Sequence, residues 1–384
     1  MNITSNPPSP ALLLREMGLD RDVNRWRDRL KGIGPTEVER ALDSTPGFYH
    51  FEKLLALISP TAESYLEPMA RMARDLTIRR FGRTIRLYAP LYLSSFCVNR
   101  CLYCGFNADT PFKRVRLSLR DALAEGLILN QSGIRDLLLV SGEDRAHVSV
   151  KFIEELCAHL RNHFCFVSIE VHRMNLKEYA RLFEAGVEGV ALYQETYDRD
   201  VYAKYHRQGP KADYDKRLSG PDDIAQAGMR EVGLGVLLGL SDWRTETLAL
   251  AEHVHHLIKS YWRTHVSISF PRLRPAHGVS KSQFPHLVLD KELVQMILAL
   301  RLCFADVGLV LSTREPAHLR DHLIRLGITR MSAGSRTNPG GYQYPQQGPG
   351  QFQVDDDRSA KEIADMVRCH GLDPVWKDWD KAFL

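Results

Sequence analysis

From about residue 84 onward, the chain alternates between short apolar runs and longer amphipathic stretches. Each amphipathic stretch is long enough for a helix, and this alternation is typical of strand–helix units in a parallel sheet. Eight such units predict an α/β fold of the TIM-type (β/α)8 barrel class. The predicted strands are residues 85–93, 136–140, 166–171, 189–193, 232–238, 265–270, 307–311 and 329–333.

The two ends of the chain show other patterns. Before the first strand, apolar residues recur at helix spacing, for example from Leu54 to Ile58, and a second helix is predicted from near Pro60. After residue 336, Gly and Pro indicate loops, and a last helix follows with Ser359 as its N-cap. Trp376 and Trp379 are expected to anchor the tail. The predicted domains are a helical N-terminal extension 1–83, the barrel 84–336 and a C-terminal extension 337–384 that packs on the barrel.

Polar residues and glycines follow the carboxyl ends of the predicted strands. In a barrel these ends form one mouth, where active sites are built. A polar residue at the start of the loop after one strand is common. Polar residues at the starts of the loops after many strands indicate a shared site. The set includes Ser141-Gly142-Glu143 after the second strand, Glu170 at the third, Gln194-Glu195-Thr196 after the fourth, Ser312-Thr313-Arg314-Glu315 after the seventh and Ser332 in the eighth.

Three cysteines lie in the loop after the first predicted strand. Cys97, Cys101 and Cys104 have CxxxCxxC spacing, so three thiolates could bind a metal cluster and leave one coordination position open. A zinc knuckle would need a fourth Cys or His nearby, and the next cysteine is Cys157. The spacing therefore favours an iron–sulfur cluster over a zinc site or a chance grouping of buried cysteines.

Composition narrows the function classes further. The 384 residues are 44% hydrophobic and 26% charged, which is typical of a globular protein. The net charge of +4 is small and the basic residues are dispersed, so we expect no nucleic-acid surface. Seven cysteines without a pairing pattern, and the lack of a long apolar segment, predict a cytoplasmic protein without disulfides or a membrane span.

The cysteine motif resembles that of the radical S-adenosylmethionine (SAM) superfamily. In that superfamily three cysteines hold one [4Fe–4S] cluster, and SAM binds the fourth iron. The resemblance implies that Tyr103, the aromatic residue before the last cysteine, lies near the adenine. It also implies that Gly142 and Glu143 bind the methionine amino group, although Ser141 replaces the first glycine of that motif.

Two further cofactor contacts follow from the same resemblance. Glu170 stands where the superfamily places a polar contact to the ribose. Arg217 stands where related barrels place an arginine for the methionine carboxylate, which a guanidinium can bind with two parallel hydrogen bonds. The alternative for Arg217 is a surface arginine on a helix.

Further motifs resemble the aromatic amino acid lyase branch of the superfamily, and within it the tyrosine lyases of bacterial thiamine biosynthesis. This resemblance implies cleavage of the Cα–Cβ bond of L-tyrosine to 2-iminoacetate and p-cresol, after a 5′-deoxyadenosyl radical has taken a hydrogen atom. It also implies thiazole synthase as a partner and reduced flavodoxin or ferredoxin as electron donor. The motifs are Pro90-Leu-Tyr92-Leu-Ser, Tyr193-Gln-Glu-Thr-Tyr197, Ser269-Phe-Pro-Arg-Leu-Arg-Pro275, Ser312-Thr-Arg-Glu-Pro316 and Pro339-Gly-Gly-Tyr342.

The resemblance also implies a substrate site. Arg314 is expected to bind the tyrosine carboxylate, and its alternative is an ion pair with Glu315. Tyr92 and Ser332 are expected to line the substrate pocket, and their alternatives are a core aromatic residue and a helix cap.

Other functions stay open at this point. A tryptophan lyase and the tyrosine lyase of hydrogenase maturation belong to the same branch, and an iron–sulfur or zinc scaffold without enzymatic activity would also need the cysteines. The hydrogenase-maturation enzyme has a second cluster on extra C-terminal cysteines, whereas here Cys369 alone follows Cys303. The roles of Arg272 and Arg274 are undecided, because at strand spacing one of the two would face the mouth.

Overall fold

The computed structural model describes residues 9–345 and 348–376, so Trp379 lies outside the described residues. Nine strands form one sheet in the order β2-β3-β4-β5-β6-β7-β8-β1-β9, and β1 also pairs with β2. That pairing closes the first eight strands into a barrel, which confirms the predicted (β/α)8 fold. The strands are β1 Thr84–Ser94, β2 Asp136–Ser141, β3 Phe166–Glu170, β4 Gly189–Ala191, β5 Glu231–Gly235, β6 His265–Ser269, β7 Gly308–Leu311, β8 Arg330–Ser332 and β9 Asp373–Val375.

The predicted fourth and fifth strands are longer than the observed ones. They were expected to reach residues 193 and 238, whereas β4 and β5 end at Ala191 and Gly235. The apolar residues beyond β5, such as Leu237 and Leu238, are buried in loop packing at the mouth. Beyond Gly235 the pairing continues only as isolated parallel bridges, Glu195 with Val236 and Leu238 with Arg272, so the hydrophobic pattern extends past the regular strand.

Fifteen α-helices are found in the described part of the chain. Those between the barrel strands surround the sheet, and the first five belong to the N-terminal extension. They are α1 Pro10–Glu16, α2 Val23–Lys31, α3 Pro35–Asp43, α4 Phe51–Leu57, α5 Leu66–Phe81, α6 Leu119–Gln131, α7 Val150–Leu160, α8 Leu176–Ala185, α9 Arg199–Tyr205, α10 Tyr214–Leu218, α11 Gly220–Gln226, α12 Trp243–Ser260, α13 Asp290–Cys303, α14 Ala317–Leu323 and α15 Ala360–Cys369. Among the described residues, no helix combines the length and apolar character needed to cross a membrane.

The two extensions pack on the barrel layer. Helices α4 and α5 pack against α13, and the buried amide of Gln295 on α13 donates to the carbonyl oxygens of Leu57 and Ser59, at 3.0 and 2.8 Å. At the other end, Ser359 caps α15 as predicted, by accepting from the backbone N–H of Glu362. Strand β9 was not predicted, because three residues that include a proline carry no strand signal. The division into three domains stays a proposal.

A buried charge network fills the end of the barrel opposite the mouth. Arg330, the first residue of β8, binds Asp136 at 2.7 Å and Glu231 at 2.8 Å, and these are the first residues of β2 and β5. Arg86 on β1 binds the same two carboxylates, at 2.5 and 3.5 Å. Two arginines and two carboxylates balance in charge, so burial of these groups is tolerated. Arg330 also lies 4.5 Å above the Tyr88 ring.

We predict that Arg330→Met lowers the free energy of unfolding by about 3 kcal/mol or more, because it leaves two buried carboxylates with one cation. Chemical denaturation of the variant and the parent protein measures this difference. Arg71→Met is the control: Arg71 forms an exposed i,i+4 pair with Glu67, so the cost should stay below about 1 kcal/mol. Equal losses in the two variants would contradict a stabilising role for the network.

Candidate active site

The loop that carries the three cysteines begins at an irregularity in β1. The register between β1 and β2 shifts between Tyr92 and Ser94, as in a β-bulge, and bulges are common where a strand is redirected beside an active site. The loop then packs directly on the end of β2. The Gly142 N–H donates to the Ser94 carbonyl at 2.8 Å, and the Val98 N–H donates to the Glu143 carbonyl at 3.1 Å.

Gly142 is needed for this packing. A Cβ atom added at Gly142 would lie 2.3 Å from the Phe96 carbonyl oxygen and 3.1 Å from the Cys97 Cβ. The role that the resemblance implies for Gly142, binding of the methionine amino group together with Glu143, stays a prediction. In the structure the close approach is that of the cysteine loop, although Gly142 also lines the cavity described next.

All eleven predicted site residues line one cavity at the mouth of the barrel. Its volume is about 1430 Å³, including space open to solvent. The described residues contain no group of three or more His, Cys, Asp or Glu side chains placed to hold a single metal ion; the three cysteines instead face this larger shared space. The predicted residues on its wall are Tyr92, Cys97, Cys101, Tyr103, Cys104, Gly142, Glu143, Glu170, Arg217, Arg314 and Ser332.

Glu143 and Arg217 form an ion pair on this wall. Arg217 is 6% exposed, so the alternative of a surface arginine is wrong. Its Nη1 donates to Glu143 Oε1 at 2.7 Å and its Nε to the Tyr193 carbonyl at 2.7 Å, while Asn99 donates to the other Glu143 oxygen at 2.9 Å. Burial alone would raise the pKa of Glu143, but Arg217 and Lys211 outweigh it and hold the pKa below its ordinary value. The pair presents an anion and a cation side by side.

The side chain of Tyr103 is hydrogen-bonded to that of His206. Its hydroxyl lies 2.8 Å from His206 Nε2, and His206 Nδ1 lies 2.9 Å from the Tyr202 carbonyl oxygen. Burial lowers the pKa of His206 well below its ordinary value, so the ring is neutral. Since the carbonyl can only accept, Nδ1 carries the proton and Nε2 accepts from Tyr103. This fixes the orientation of the Tyr103 ring at the cavity wall.

Glu170 lies in the same cavity, and its pKa is shifted in the opposite direction to that of Glu143. Burial, together with the nearby carboxylate of Glu195, raises the pKa of Glu170 to about 7. Glu195 itself pairs with Lys211 at 2.7 Å. It has a φ of 70°, the one positive φ at a non-glycine residue in the described part of the chain. Backbone strain of this kind often accompanies functional sites.

Arg314 is a cation without an anionic partner. In the part of the chain that the structure describes, its guanidinium forms no ion pair, and it lies 3.5 Å above the ring of Phe352. The expected alternative, a pair with Glu315, is wrong. Glu315 is bound by Arg272 and also by Arg274, at 3.3 Å. Burial lowers the pKa of Arg314, because desolvation disfavours its charged form.

The convergence of Arg272 and Arg274 on the Glu315 carboxylate shows that the expectation that one of the two would face the mouth is wrong. Residues two positions apart in an extended chain point to the same side, so both guanidinium groups can reach one partner. Arg272 also binds Asp290 at 2.7 Å, and Arg274 binds Asp355 at 2.7 Å. Both arginines thus hold the loops around Arg314.

Tyr92 and Ser332 lie on the cavity wall near this end. The Tyr92 hydroxyl donates to the side-chain oxygen of Gln351 at 2.8 Å. Ser332 is part of β8, so it is not a helix cap, and its hydroxyl oxygen accepts from the Thr313 N–H at 3.0 Å. This bond holds the backbone next to Arg314.

Several residues of the site were not predicted. Asn99 lies between Cys97 and Cys101, and this place within the cysteine motif is a signal that could have identified it. Lys211, Phe352 and Gln351 come from loops, where no periodic pattern marks a buried side chain. Arg114 is a further example: its guanidinium donates to four backbone carbonyl groups of the cysteine loop, those of Ser95, Phe106, Asn107 and Thr110.

Comparison with known proteins agrees with this geometry. The Radical SAM superfamily model matches residues 91–251, and the Biotin and Thiamin Synthesis associated domain model matches residues 269–373. The chain is 42% identical to 2-iminoacetate synthase of Salmonella typhimurium and 41% identical to that of Escherichia coli; each match covers 93% of this chain and 96% of the relative. The chain belongs to the 2-iminoacetate synthase family of radical SAM enzymes. The predicted family is confirmed.

A solved structure shows the same architecture. HydG, a maturase of the [FeFe]-hydrogenase, superimposes with a TM-score of 0.86 at 32% identity, covering 94% of this chain and 81% of HydG. Radical SAM enzymes combine an iron–sulfur cluster with SAM, and the residues on this wall fit both groups. Three thiols share the cavity with a buried carboxylate and a buried guanidinium, which suit the amino and carboxylate groups of an amino acid moiety.

We predict that Gly142→Ala weakens cluster retention roughly tenfold or more, because the new methyl group displaces the cysteine loop that orients the ligands. Iron and sulfide per chain after anaerobic reconstitution measure this. Gly34→Ala is the control, since a Cβ there meets no atom within 4 Å. Full iron in Gly142→Ala would show that the loop tolerates the displacement.

Proposed function

We propose that this chain is a tyrosine lyase, which cleaves the Cα–Cβ bond of L-tyrosine to 2-iminoacetate and p-cresol. The product 2-iminoacetate would serve the thiazole moiety of thiamine. One observation carries this proposal: Arg314, which forms no ion pair with any residue that the structure describes, lies in a cavity that also contains three cysteines. A binding site for an amino acid carboxylate beside a radical cofactor is what a lyase of this family requires.

Cys97, Cys101 and Cys104 are proposed to hold one [4Fe–4S] cluster. Glu143 takes the amino group of the SAM methionine and Arg217 its carboxylate, with Glu170 at the ribose and Tyr103 at the adenine. When bound, these groups supply the one-electron chemistry that removes a hydrogen atom from the substrate. The protein contributes orientation, and its buried charges act in a medium that screens them little.

At the other end, Arg314 binds the tyrosine carboxylate. The stacked Phe352 ring and the Ser332–Thr313 hydrogen bond fix the guanidinium plane and the backbone that carries it. A guanidinium held in this way can donate two parallel hydrogen bonds. Tyr92 and Ser332 line the pocket for the rest of the substrate.

We further propose a cytoplasmic location, reduced flavodoxin or ferredoxin as electron donor, and thiazole synthase as the partner that consumes the product. All seven cysteines are free in the structure, which suits a reducing compartment. The donor and the partner follow from the family alone.

The enzyme should convert L-tyrosine to p-cresol and 2-iminoacetate, detected as glyoxylate after hydrolysis, together with 5′-deoxyadenosine. Arg314→Lys should lower kcat/KM roughly 10²-fold, because a single ammonium cannot hold the carboxylate in the reactive position. Arg368→Lys, at an exposed pair on α15, should keep full activity. Cleavage of tryptophan without p-cresol, or cyanide and carbon monoxide as main end products, would assign another activity of the same branch.

The two ends of the cavity should be separable by binding measurements. Glu143→Ala should weaken SAM binding roughly tenfold or more, because a hydrogen bond to a charged group is worth about 1.5–3 kcal/mol. Arg314→Ala should leave SAM affinity unchanged while abolishing tyrosine binding. Glu155→Ala, on the exposed face of α7, is the control for a lost carboxylate. Equal damage to SAM binding in both site variants would refute this division.

A further inference from the structure

Residues Gly350 and Gln351, in the segment 348–356 of the C-terminal extension, lie directly on the cysteine loop. The Gly105 N–H donates to the Gln351 carbonyl at 3.1 Å, and the Gln351 N–H donates to the Thr337 carbonyl at 2.9 Å. A Cβ at Gly105 would lie 2.7 Å from the Gln351 carbonyl oxygen, and one at Gly350 would lie 2.2 Å from the Thr337 hydroxyl oxygen. Gly105 thus lets its backbone contact that of Gln351, and Gly350 lets the segment pack against the Thr337 side chain. The two backbone hydrogen bonds of Gln351 position this residue without using its side chain.

The side chain of Gln351 joins a cluster cysteine to the substrate pocket. Its Nε2 lies 3.7 Å from Cys104 Sγ, and its Oε1 accepts from the Tyr92 hydroxyl at 2.8 Å. A thiolate can only accept a hydrogen bond, so the amide nitrogen must face the sulfur when Cys104 is deprotonated. The Tyr92 hydroxyl then donates to the amide oxygen and holds the amide in this orientation.

The same segment touches the substrate end. Phe352, the next residue, carries the ring on which Arg314 stacks. One short segment therefore contacts a proposed cluster ligand through one residue and the proposed carboxylate-binding arginine through the next.

We propose that Gln351 is a positioning residue that raises the reduction potential of the cluster by donating a hydrogen bond to Cys104, with Tyr92 as the residue that orients its amide. The proposal rests on the proposed function, since it requires a cluster on Cys104. Reduction adds negative charge to the cluster and its sulfur ligands. A donor at the sulfur therefore stabilises the reduced form more than the oxidised form, which raises the potential.

The test is a redox titration of anaerobically reconstituted protein without tyrosine, followed by the absorption and electron paramagnetic resonance of the cluster. Gln351→Leu removes the donor and keeps most of the volume. At a fixed solution potential, its ratio of reduced to oxidised cluster should fall roughly tenfold, which is about 59 mV for a one-electron couple. Gln351→Glu keeps the shape of the side chain, but its ionised form cannot donate to sulfur, so it should shift the potential in the same direction.

Gln353→Leu is the matched control. Gln353 is exposed, lies two residues away in the same segment and is bound through its backbone N–H to the Pro275 carbonyl. Its potential should equal that of the parent protein. Tyr92→Phe should give a smaller negative shift than Gln351→Leu, because the amide keeps its donor but loses the hydroxyl that orients it.

An unchanged potential in Gln351→Leu, with four irons retained, would overturn the proposal. Loss of iron in both Gln351 variants would also overturn it, because Gln351 would then hold the cluster and not tune it. The measurement is independent of tyrosine cleavage. A shifted potential in a protein that makes no p-cresol would leave this inference standing and reject the proposed function.

Discussion

The site depends on one arginine that closes the cysteine loop. Arg114 donates to carbonyl groups at both ends of this loop: Ser95 at 2.7 Å before the cysteines, and Phe106 and Thr110, at 2.8 and 3.1 Å, after them. Four carbonyl partners use the planar fork of a guanidinium, which an ammonium could not replace. In the described residues Arg114 has no carboxylate partner, and burial lowers its pKa. Arg114 therefore shapes the loop, whereas burial raises the pKa of each of its three cysteine thiols, and Lys211 opposes this rise at Cys101 and Cys104.

The charges of the cavity are arranged differently at its two ends. At the proposed cofactor end, Glu143 pairs with Arg217 and Glu195 with Lys211, so these four charges are balanced in advance. A zwitterionic amino acid moiety can exchange partners with such a pair without changing the net charge, which limits the desolvation cost. At the proposed substrate end, Arg314 forms no ion pair within residues 9–345 and 348–376, although the nearby carboxylates of Glu195 and Glu170 partly oppose the lowering of its pKa by burial. Its charge is stabilised when a carboxylate arrives, so this end favours an anionic group over a neutral one.

Sequence patterns predicted the parts of this structure that depend on local periodicity. The eight strands, the position of the mouth and the Ser359 cap follow from the spacing of apolar residues and from the chemistry of capping. The base of the barrel could not be predicted in this way, because Arg330 and Asp136 are 194 positions apart and neither residue carries a signal for the other. Gly142 indicated a close approach, and the structure adds that the cysteine loop approaches it; its predicted role at the cofactor stays a prediction. Arg114 and Gln351 were not predicted, because they lie in loops, where no periodic pattern indicates that a side chain is buried.

The two family-model regions correspond to the two ends of the cavity. The radical SAM region, 91–251, contains the three cysteines and every residue proposed to bind SAM. The Biotin and Thiamin Synthesis associated region, 269–373, supplies Arg314, Ser332 and the segment that carries Gln351. Tyr92 is the exception, because it belongs to the first region yet is proposed to line the substrate pocket.

Tyr92 is also the residue whose hydroxyl binds Gln351, whose side chain reaches Cys104 across 247 positions of sequence. The regions are therefore joined at the point where substrate and cluster environments meet. Since that contact forms only when both ends of the chain are folded, the barrel mouth is complete only when the C-terminal segment is in place. A chain that ended after β8 would keep the thiols, but it would lack the amide beside Cys104 and the ring that supports Arg314.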